Sequence, residues 1–252
     1  MIELTDVTMA YDGDPVVRDV RLTLPDAGVT ALIGPNGAGK STLLSGIGRL
    51  HPLIGGQVSI DGRALADWDT EELARTIAIL RQENHLAIRL TVAELVMLGR
   101  HPHSKGRHTR EDYARVADAL QCVDMRDLAD RFIDELSGGQ RQRAFIAMAL
   151  AQDTKYLLLD EPLSALDMLH ARDMMRHLRR VCDERGISVV IVIHDVNTAA
   201  AYADTMVAMK DGHVLRVGKP AEVMRGHVLE EIFGVDVHVA EIGGRLVAMP
   251  VA

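Results

Sequence analysis

A short apolar run, Val29-Thr30-Ala31-Leu32-Ile33, stops at Gly34-Pro35-Asn36-Gly37-Ala38-Gly39-Lys40-Ser41-Thr42, and residues 40–50 then read as a helix. The loop satisfies G-x-x-x-x-G-K-[ST] in the strand–loop–helix setting that this pattern requires. Glycines let the backbone wrap closely, so successive N–H groups converge on phosphate oxygens at a helix N-terminus. Lys40 supplies a point charge to the outer phosphates, and Ser41 offers a hydroxyl to Mg2+. A chain built around such a loop needs a strand to feed it and a helix to follow it. An α/β architecture is therefore expected.

The rest of the chain repeats that alternation. Residues 2–10 and 16–24 read as half-buried strands joined by the turn-rich Asp12-Gly13-Asp14-Pro15, and 57–60 as another strand ended by Asp61-Gly62. Residues 77–80, 156–159, 188–193 and 205–209 are short apolar runs, with helical patterns at 167–185 and 196–203 between the later ones. Strands alternating with helices imply a mostly parallel sheet covered by helices. Residues 91–150 interrupt the alternation with helix-spaced apolar positions at 92–98, 110–120 and 138–150. The expected organisation is one domain over 1–252, with a core from about 1–90 and 151–252 and a helical subdomain at about 91–150.

Two further motifs carry chemistry. Tyr156-Leu157-Leu158-Leu159-Asp160-Glu161 is an apolar strand ending in two carboxylates. At the end of a parallel strand, Asp160 is placed to hold Mg2+, and Glu161 to accept a proton from an attacking water. With the loop at 34–42, this describes a P-loop nucleoside triphosphatase. Leu136-Ser137-Gly138-Gly139-Gln140 opens a helix, with Ser137 read as its N-cap. The amides at that helix start form a candidate second anion site. Simple capping is the alternative, but it leaves the Gly138-Gly139 pair without a reason.

At these residues the chain resembles the ATP-binding subunits of ABC transporters over nearly its whole length. Gly34, Pro35, Asn36, Gly37, Ala38, Gly39, Lys40, Ser41 and Thr42 are similar to that family's Walker A, and 156–161 to its Walker B. Ser137, Gly138, Gly139 and Gln140 are similar to its LSGGQ signature loop, Tyr11 to its adenine-stacking aromatic and Gln82 to its Q-loop glutamine. Ser164, Ala165, Leu166 and Asp167 resemble its D-loop, and His194 its switch histidine. Arg81 stands where many members have proline and Leu163 where many have threonine; neither departure removes a catalytic group.

The resemblance implies an ABC ATPase fold with a mostly parallel core sheet, an N-terminal antiparallel β part and an inserted helical subdomain. It implies ATP and Mg2+ as cofactors, with Ser41, Gln82 and Asp160 as metal ligands and Glu161, His194 and Gln82 as catalytic residues. It also implies a head-to-tail homodimer in which 34–42 of one chain faces 137–140 of the other across ATP. Gln82 then reports metal and water status toward a membrane partner.

Composition narrows the role. The charge sum of 28 Lys+Arg against 36 Asp+Glu leaves −8, without the positive field of a general nucleic-acid binder. The longest apolar runs, 144–151 and 187–193, fall far short of the roughly 20 residues that cross a bilayer. Residues 2–7 show no basic-then-apolar secretory pattern. Cys122 and Cys182 lie in no C-x-x-C pair and read as small buried hydrophobes in a reducing compartment. His101, His103 and His108, with Pro102 and Gly106 marking a loop, read as a solvated polar segment rather than a metal cluster.

Within the family, several stretches resemble the importers of iron-siderophores, haem and cobalamin. They are Glu94-Leu95-Val96-Met97-Leu98-Gly99-Arg100-His101-Pro102, Ser104-Lys105-Gly106-Arg107, Ala151-Gln152-Asp153-Thr154, His194-Asp195-Val196-Asn197 with 199–203, and the ending 228–235 and 237–250. The function implied is an ATP-hydrolysing subunit that powers Fe(III)-siderophore import through a separate permease. A haem or cobalamin importer is the alternative, as is a soluble ABC ATPase of iron–sulfur cluster assembly. The partners implied are a second copy, integral membrane permease subunits and, indirectly, an extracytoplasmic substrate-binding protein, with no nucleic acid. The expected place is the cytoplasmic face of the cell membrane, peripheral and held by the permease.

Overall fold

The computed structural model describes residues 1–82, 84 and 88–251. In chain order the elements are β1 (Ile2–Tyr11), β2 (Asp14–Leu24), β3 (Gly28–Ile33), α1 (Lys40–Ile47), β4 (Gly55–Ile60), β5 (Arg63–Ala64), α2 (Thr70–Thr76) and β6 (Ile77–Leu80). Next come α3 (Val92–Leu98), α4 (His101–Ser104), α5 (Arg110–Cys122), α6 (Gly138–Ala151), β7 (Tyr156–Leu159) and α7 (Met168–Arg185). The chain ends with β8 (Ser188–Val192), α8 (Val196–Tyr202), β9 (Thr205–Lys210), β10 (His213–Gly218), α9 (Pro220–Val223), α10 (Gly226–Phe233), β11 (Val237–Ile242) and β12 (Arg245–Pro250). Contacts group these into two compact units, Met1–Trp68 with Ser188–Ala252, and Asp69–Ile187.

In the first unit the strands run in the order β10-β9-β3-β8. β3 pairs in parallel with both β8 and β9, and β10 is antiparallel to β9. Every residue of β8 and all of β3 after Gly28 are buried. Unbroken Val/Ile/Leu runs suit strands covered on both faces, which is why these segments do not alternate. β1 does alternate, and it lies antiparallel between β2 and β4 with one face inward. Register then sets the site. Leu32 pairs with Val192, and the Ile193 amide donates to the Leu32 carbonyl at 3.1 Å. Gly34 and His194 therefore leave the sheet at the same edge.

In the second unit β6 and β7 are parallel, with Leu80 opposite Leu159. The Asp160 amide donates to the Leu80 carbonyl at 2.9 Å, so the Gln82 and Glu161 segments also leave their strands together. Helices α3, α5 and α6 pack on one another. Inside that cluster Arg100 and Asp112 form a buried ion pair at 2.9 Å, and Arg100 also donates to the Ala151 carbonyl. Gln152 ties the end of α6 to α2 and β6 by donating to the carbonyls of Ala74 and Ile77.

One expectation is corrected. Residues 101–104 form a helical turn, α4, where Pro102 and Gly106 pointed to a loop. Pro102 sits in the first turn, where its missing N–H costs nothing and its fixed φ suits a helix start. Gly106, at φ +82°, follows the turn's end at Lys105. His103 is not solvated either: it is half-buried and its Nε2 donates to the Gln152 carbonyl at 2.8 Å. Residues 105–108 are exposed.

Candidate functional site

The loop at 34–42 closes on itself in the first unit. Gly34 has φ +141°, and a Cβ there would lie 2.0 Å from the Met209 carbonyl oxygen of β9. Gly39 has φ +93°, and a Cβ would come within 2.8 Å of the Val16 carbonyl oxygen. Only glycine fits either position. Gly39 is also the N-cap of α1 and contributes no side chain, so the first amides of that helix face the loop uncovered by a cap. The helix dipole adds positive potential at the same point. Lys40 is 5% exposed, and its ammonium donates to the carbonyls of Gly34 at 2.9 Å and Pro35 at 2.8 Å. These two carbonyls hold the positive charge against the start of the loop. Asn36 and Gly37 are exposed, Ser41 is half-buried and Thr42 and Ala38 are buried.

Tyr11 ends β1 and is half exposed. Its ring packs on the His51 imidazole, with centroids 4.3 Å apart and planes at 36°. His51 is itself oriented by donating from Nε2 to the Ala10 carbonyl at 2.8 Å. A backed aromatic ring with an open side is a stacking platform. His51 carries no local sequence signal for this role, since it sits 40 positions from the ring it supports. His194 is exposed, immediately beyond buried Ile193.

The second unit holds the carboxylates. Asp160 is buried at the end of β7, 6% exposed, and Glu161 is half-buried. Glu161 has φ +49°, a left-handed conformation uncommon for a glutamate and often found at working sites. Gln82 and Ser164 both bond to it. Gln82 donates from Nε2 to Glu161 Oε2 at 2.8 Å, and Ser164 donates from both its amide and its hydroxyl to the Glu161 carbonyl. A carboxylate only accepts, so the Gln82 amide nitrogen faces it and the carboxamide oxygen faces away.

The signature residues sit in the same unit. Ser137 and Gln140 form a capping box: the Gln140 amide donates to Ser137 Oγ and the Ser137 amide to Gln140 Oε1. Capping is therefore real, yet it engages only those two amides and leaves the Gly138 and Gly139 amides out of the box. Ser137 Oγ accepts in this box, so its O–H proton remains available to donate. A Cβ on Gly139 would meet Leu166 Cδ2 at 3.4 Å and the Ala165 carbonyl at 3.5 Å, which places the 164–167 turn against the start of α6. Asp167 caps α7, accepting from the His170 amide and from His170 Nδ1, each at 2.9 Å. Those two bonds, the backbone one foremost, hold its carboxyl below the usual range.

Ser41 in the first unit, and Asp160 and Gln82 in the second, each carry an oxygen donor of the hard kind that Mg2+ prefers. Among the described residues no cluster of three His, Cys, Asp or Glu side chains is arranged to hold a metal by itself.

Comparison with known proteins identifies the family. The ABC transporter family profile matches residues 17–164. The chain is 44% identical over 249 residues to the petrobactin import ATP-binding protein YclP of Bacillus subtilis, covering 99% of each. It is 46% identical over 233 residues to the petrobactin import ATP-binding protein FatE of Bacillus anthracis, covering 92% of this chain and 93% of that one. Its fold matches the dimeric, post-hydrolysis structure of the ATP-binding cassette MJ0796 bound to ADP and Pi. That match has a TM-score of 0.79 and 32% identity, over 87% of this chain and 99% of the other.

Proposed function

The chain belongs to the ABC transporter ATP-binding family, and from that membership we propose that it is the ATP-hydrolysing subunit of an Fe(III)-siderophore importer. The observation that carries the cargo class is near-full-length similarity to two petrobactin import subunits. The chain is an ATPase coupled to transport. No described helix is long and apolar enough to cross a membrane. We assign the path for the cargo to separate permease chains, as the similarity to import ATP-binding subunits supports. We assign the chain a peripheral place on the cytoplasmic face of the membrane, held there by the permease. An extracytoplasmic binding protein delivers the cargo.

The residue roles follow from the chemistry of each group. Tyr11 stacks on adenine. The amides of 34–42 and the Lys40 ammonium bind the phosphates. Ser41, Asp160 and Gln82 would hold Mg2+, which would neutralise charge on the outer phosphates. Glu161 holds the attacking water and takes its proton as the new P–O bond forms. The bond from the γ-phosphorus to the bridging oxygen breaks, and ADP and phosphate leave. The Gln82–Glu161 hydrogen bond orients that carboxylate. His194 contacts the γ-phosphate. Ser137, Gly138, Gly139 and Gln140 complete the phosphate cage of a second copy, with 164–167 (Ser164, Ala165, Leu166, Asp167) beside them. We assign residues 91–150 to a helical subdomain, inserted in a single ATPase domain, that carries this signature loop.

Reconstitution tests the cargo. The chain is assembled in proteoliposomes with its permease and binding protein, and phosphate release is followed with loaded Fe(III)-siderophore, haem or cobalamin. Stimulation by the siderophore is expected. Stimulation by haem or cobalamin alone would reassign the cargo, and recovery of the chain with soluble partners only would overturn the import role.

A further inference from the structure

The motif His194-Asp195-Val196-Asn197 holds a second polar residue that the proposed mechanism does not use, and its contacts are specific. Asn197 Nδ2 donates to the Ala248 carbonyl at 3.1 Å, and Asn197 Oδ1 accepts from the Ala248 amide at 2.7 Å. The carboxamide thus pairs with both main-chain groups of one residue, as a neighbouring strand would. Ala248 is buried in β12, whose partner β11 follows α10. α10 buries Val228, Leu229 and Ile232 and packs on β9 of the central strands, so the hairpin is anchored on the sheet.

Only the first turn of α8 separates this pair of bonds from His194. Asp195 caps that turn, accepting from the amides of Asn197 at 3.3 Å and Thr198 at 3.0 Å. Two independent restraints therefore converge on the segment after β8. The cap fixes the local turn, and the Asn197–Ala248 pair fixes where that turn sits relative to the hairpin. His194 is exposed and lies on the chain that has just left the sheet, directly before this capped turn, so these restraints bear on where its backbone sits.

We infer that Asn197 is a positioning residue for His194, and that the β11–β12 hairpin is the brace against which it works. The inference rests on the assignment of His194 to the γ-phosphate. Loss of the carboxamide lets the first turn of α8 move against the hairpin and takes the imidazole off line. Misplacing a catalytic group by about 1 Å costs on the order of a hundredfold in rate. Tyr11 and the loop at 34–42 are untouched, so the KM for ATP stays unchanged.

The test is a double-mutant cycle on the purified full-length chain, at a temperature well below the melting point of every variant. His194→Ala, Asn197→Ala, the double variant and Asn197→Asp are compared for kcat and KM. Asn197→Ala is expected to lose at least tenfold in kcat with KM unchanged, and the double variant to be no slower than His194→Ala alone. Asn197→Asp keeps the acceptor for the Ala248 amide but loses the donor, and is expected to fall between Asn197→Ala and the unaltered chain. If His194→Ala slows turnover while Asn197→Ala does not, or if the two losses multiply, the positioning role is overturned and the histidine assignment stands. If His194→Ala hydrolyses ATP at the full rate, the histidine assignment itself fails, and the role of Asn197 with it.

Discussion

At the scale of single residues, the site divides by how much of its chemistry depends on neighbours. Lys40 is legible from its motif, because the spacing of Gly34 and Gly39 already dictates a loop that only glycine can close. Glu161 is legible as a carboxylate at a strand end, but its left-handed backbone and its bond from Gln82 are not. They depend on a register between β6 and β7 that joins residues 79 positions apart. His51 behind Tyr11 is invisible for the same reason. The role proposed for Glu161 predicts the effect of removing only its basicity. Glu161→Gln keeps the side chain's size and leaves the loop at 34–42 intact, so ATP binding persists. Turnover should fall by two to four orders of magnitude, roughly the contribution of a positioned general base. Nucleotide titration and phosphate release measure the two effects separately, and near-normal hydrolysis would remove Glu161 from the mechanism.

At the scale of elements, what the sequence discloses follows from burial. β3, β7 and β8 stand out because strands covered on both faces must be continuously apolar. α4 is missed because proline serves equally as a breaker and as a helix-starting residue, and only the surroundings decide. The β11–β12 hairpin is missed because its strands are largely exposed, so their composition carries little pattern. Arg100 and Asp112 are a third case, since no sequence pattern pairs two charged residues twelve positions apart, and together they form the polar centre of the α3–α5–α6 cluster. Amide donation from Thr109 pulls the Asp112 carboxyl down, burial opposes it, and the Arg100 bond and Thr109 hydroxyl add to the pull, for a pKa of about 2. Because this lies below the ordinary value of 3.8, the unfolded chain binds more protons between the two. The stabilisation is complete above about pH 4 and fades as pH falls toward 2. Asp112→Ala strands a buried guanidinium and should cost about 3–5 kcal/mol at neutral pH. Urea melts at pH 6 and pH 3 measure this, and the gap between the two proteins should narrow at the lower pH. A gap that is absent at pH 6, or that widens at pH 3, would show that the pair does not stabilise the cluster.

At the scale of the whole molecule, a capped helix whose Gly138 and Gly139 amides stay out of the capping box has no evident purpose inside one chain. The proposed head-to-tail arrangement gives it one, and that proposal makes a prediction no single-chain site can imitate. In the proposed dimer each composite site takes Lys40 from one protomer and the 137–140 loop from the other. Lys40→Ala disables the first contribution. Gly138→Asp disables the second by placing a carboxylate where a phosphate would lie, and a Cβ at Gly138 meets nothing within 4 Å, so the fold accepts it. Homodimers of either variant then have two defective sites. In a mixed dimer both lesions fall in one site, and the other combines an intact Lys40 with an intact signature loop. Equal mixing puts about half the dimers in the mixed form with one sound site of two, so about a quarter of the unaltered activity should return. Each variant is assayed alone and after co-incubation, with phosphate release as the readout. If activity is no greater in the mixture than in the separate samples, the 137–140 loop does not serve a partner's nucleotide. Recovery would show that the catalytic unit is two copies of this chain.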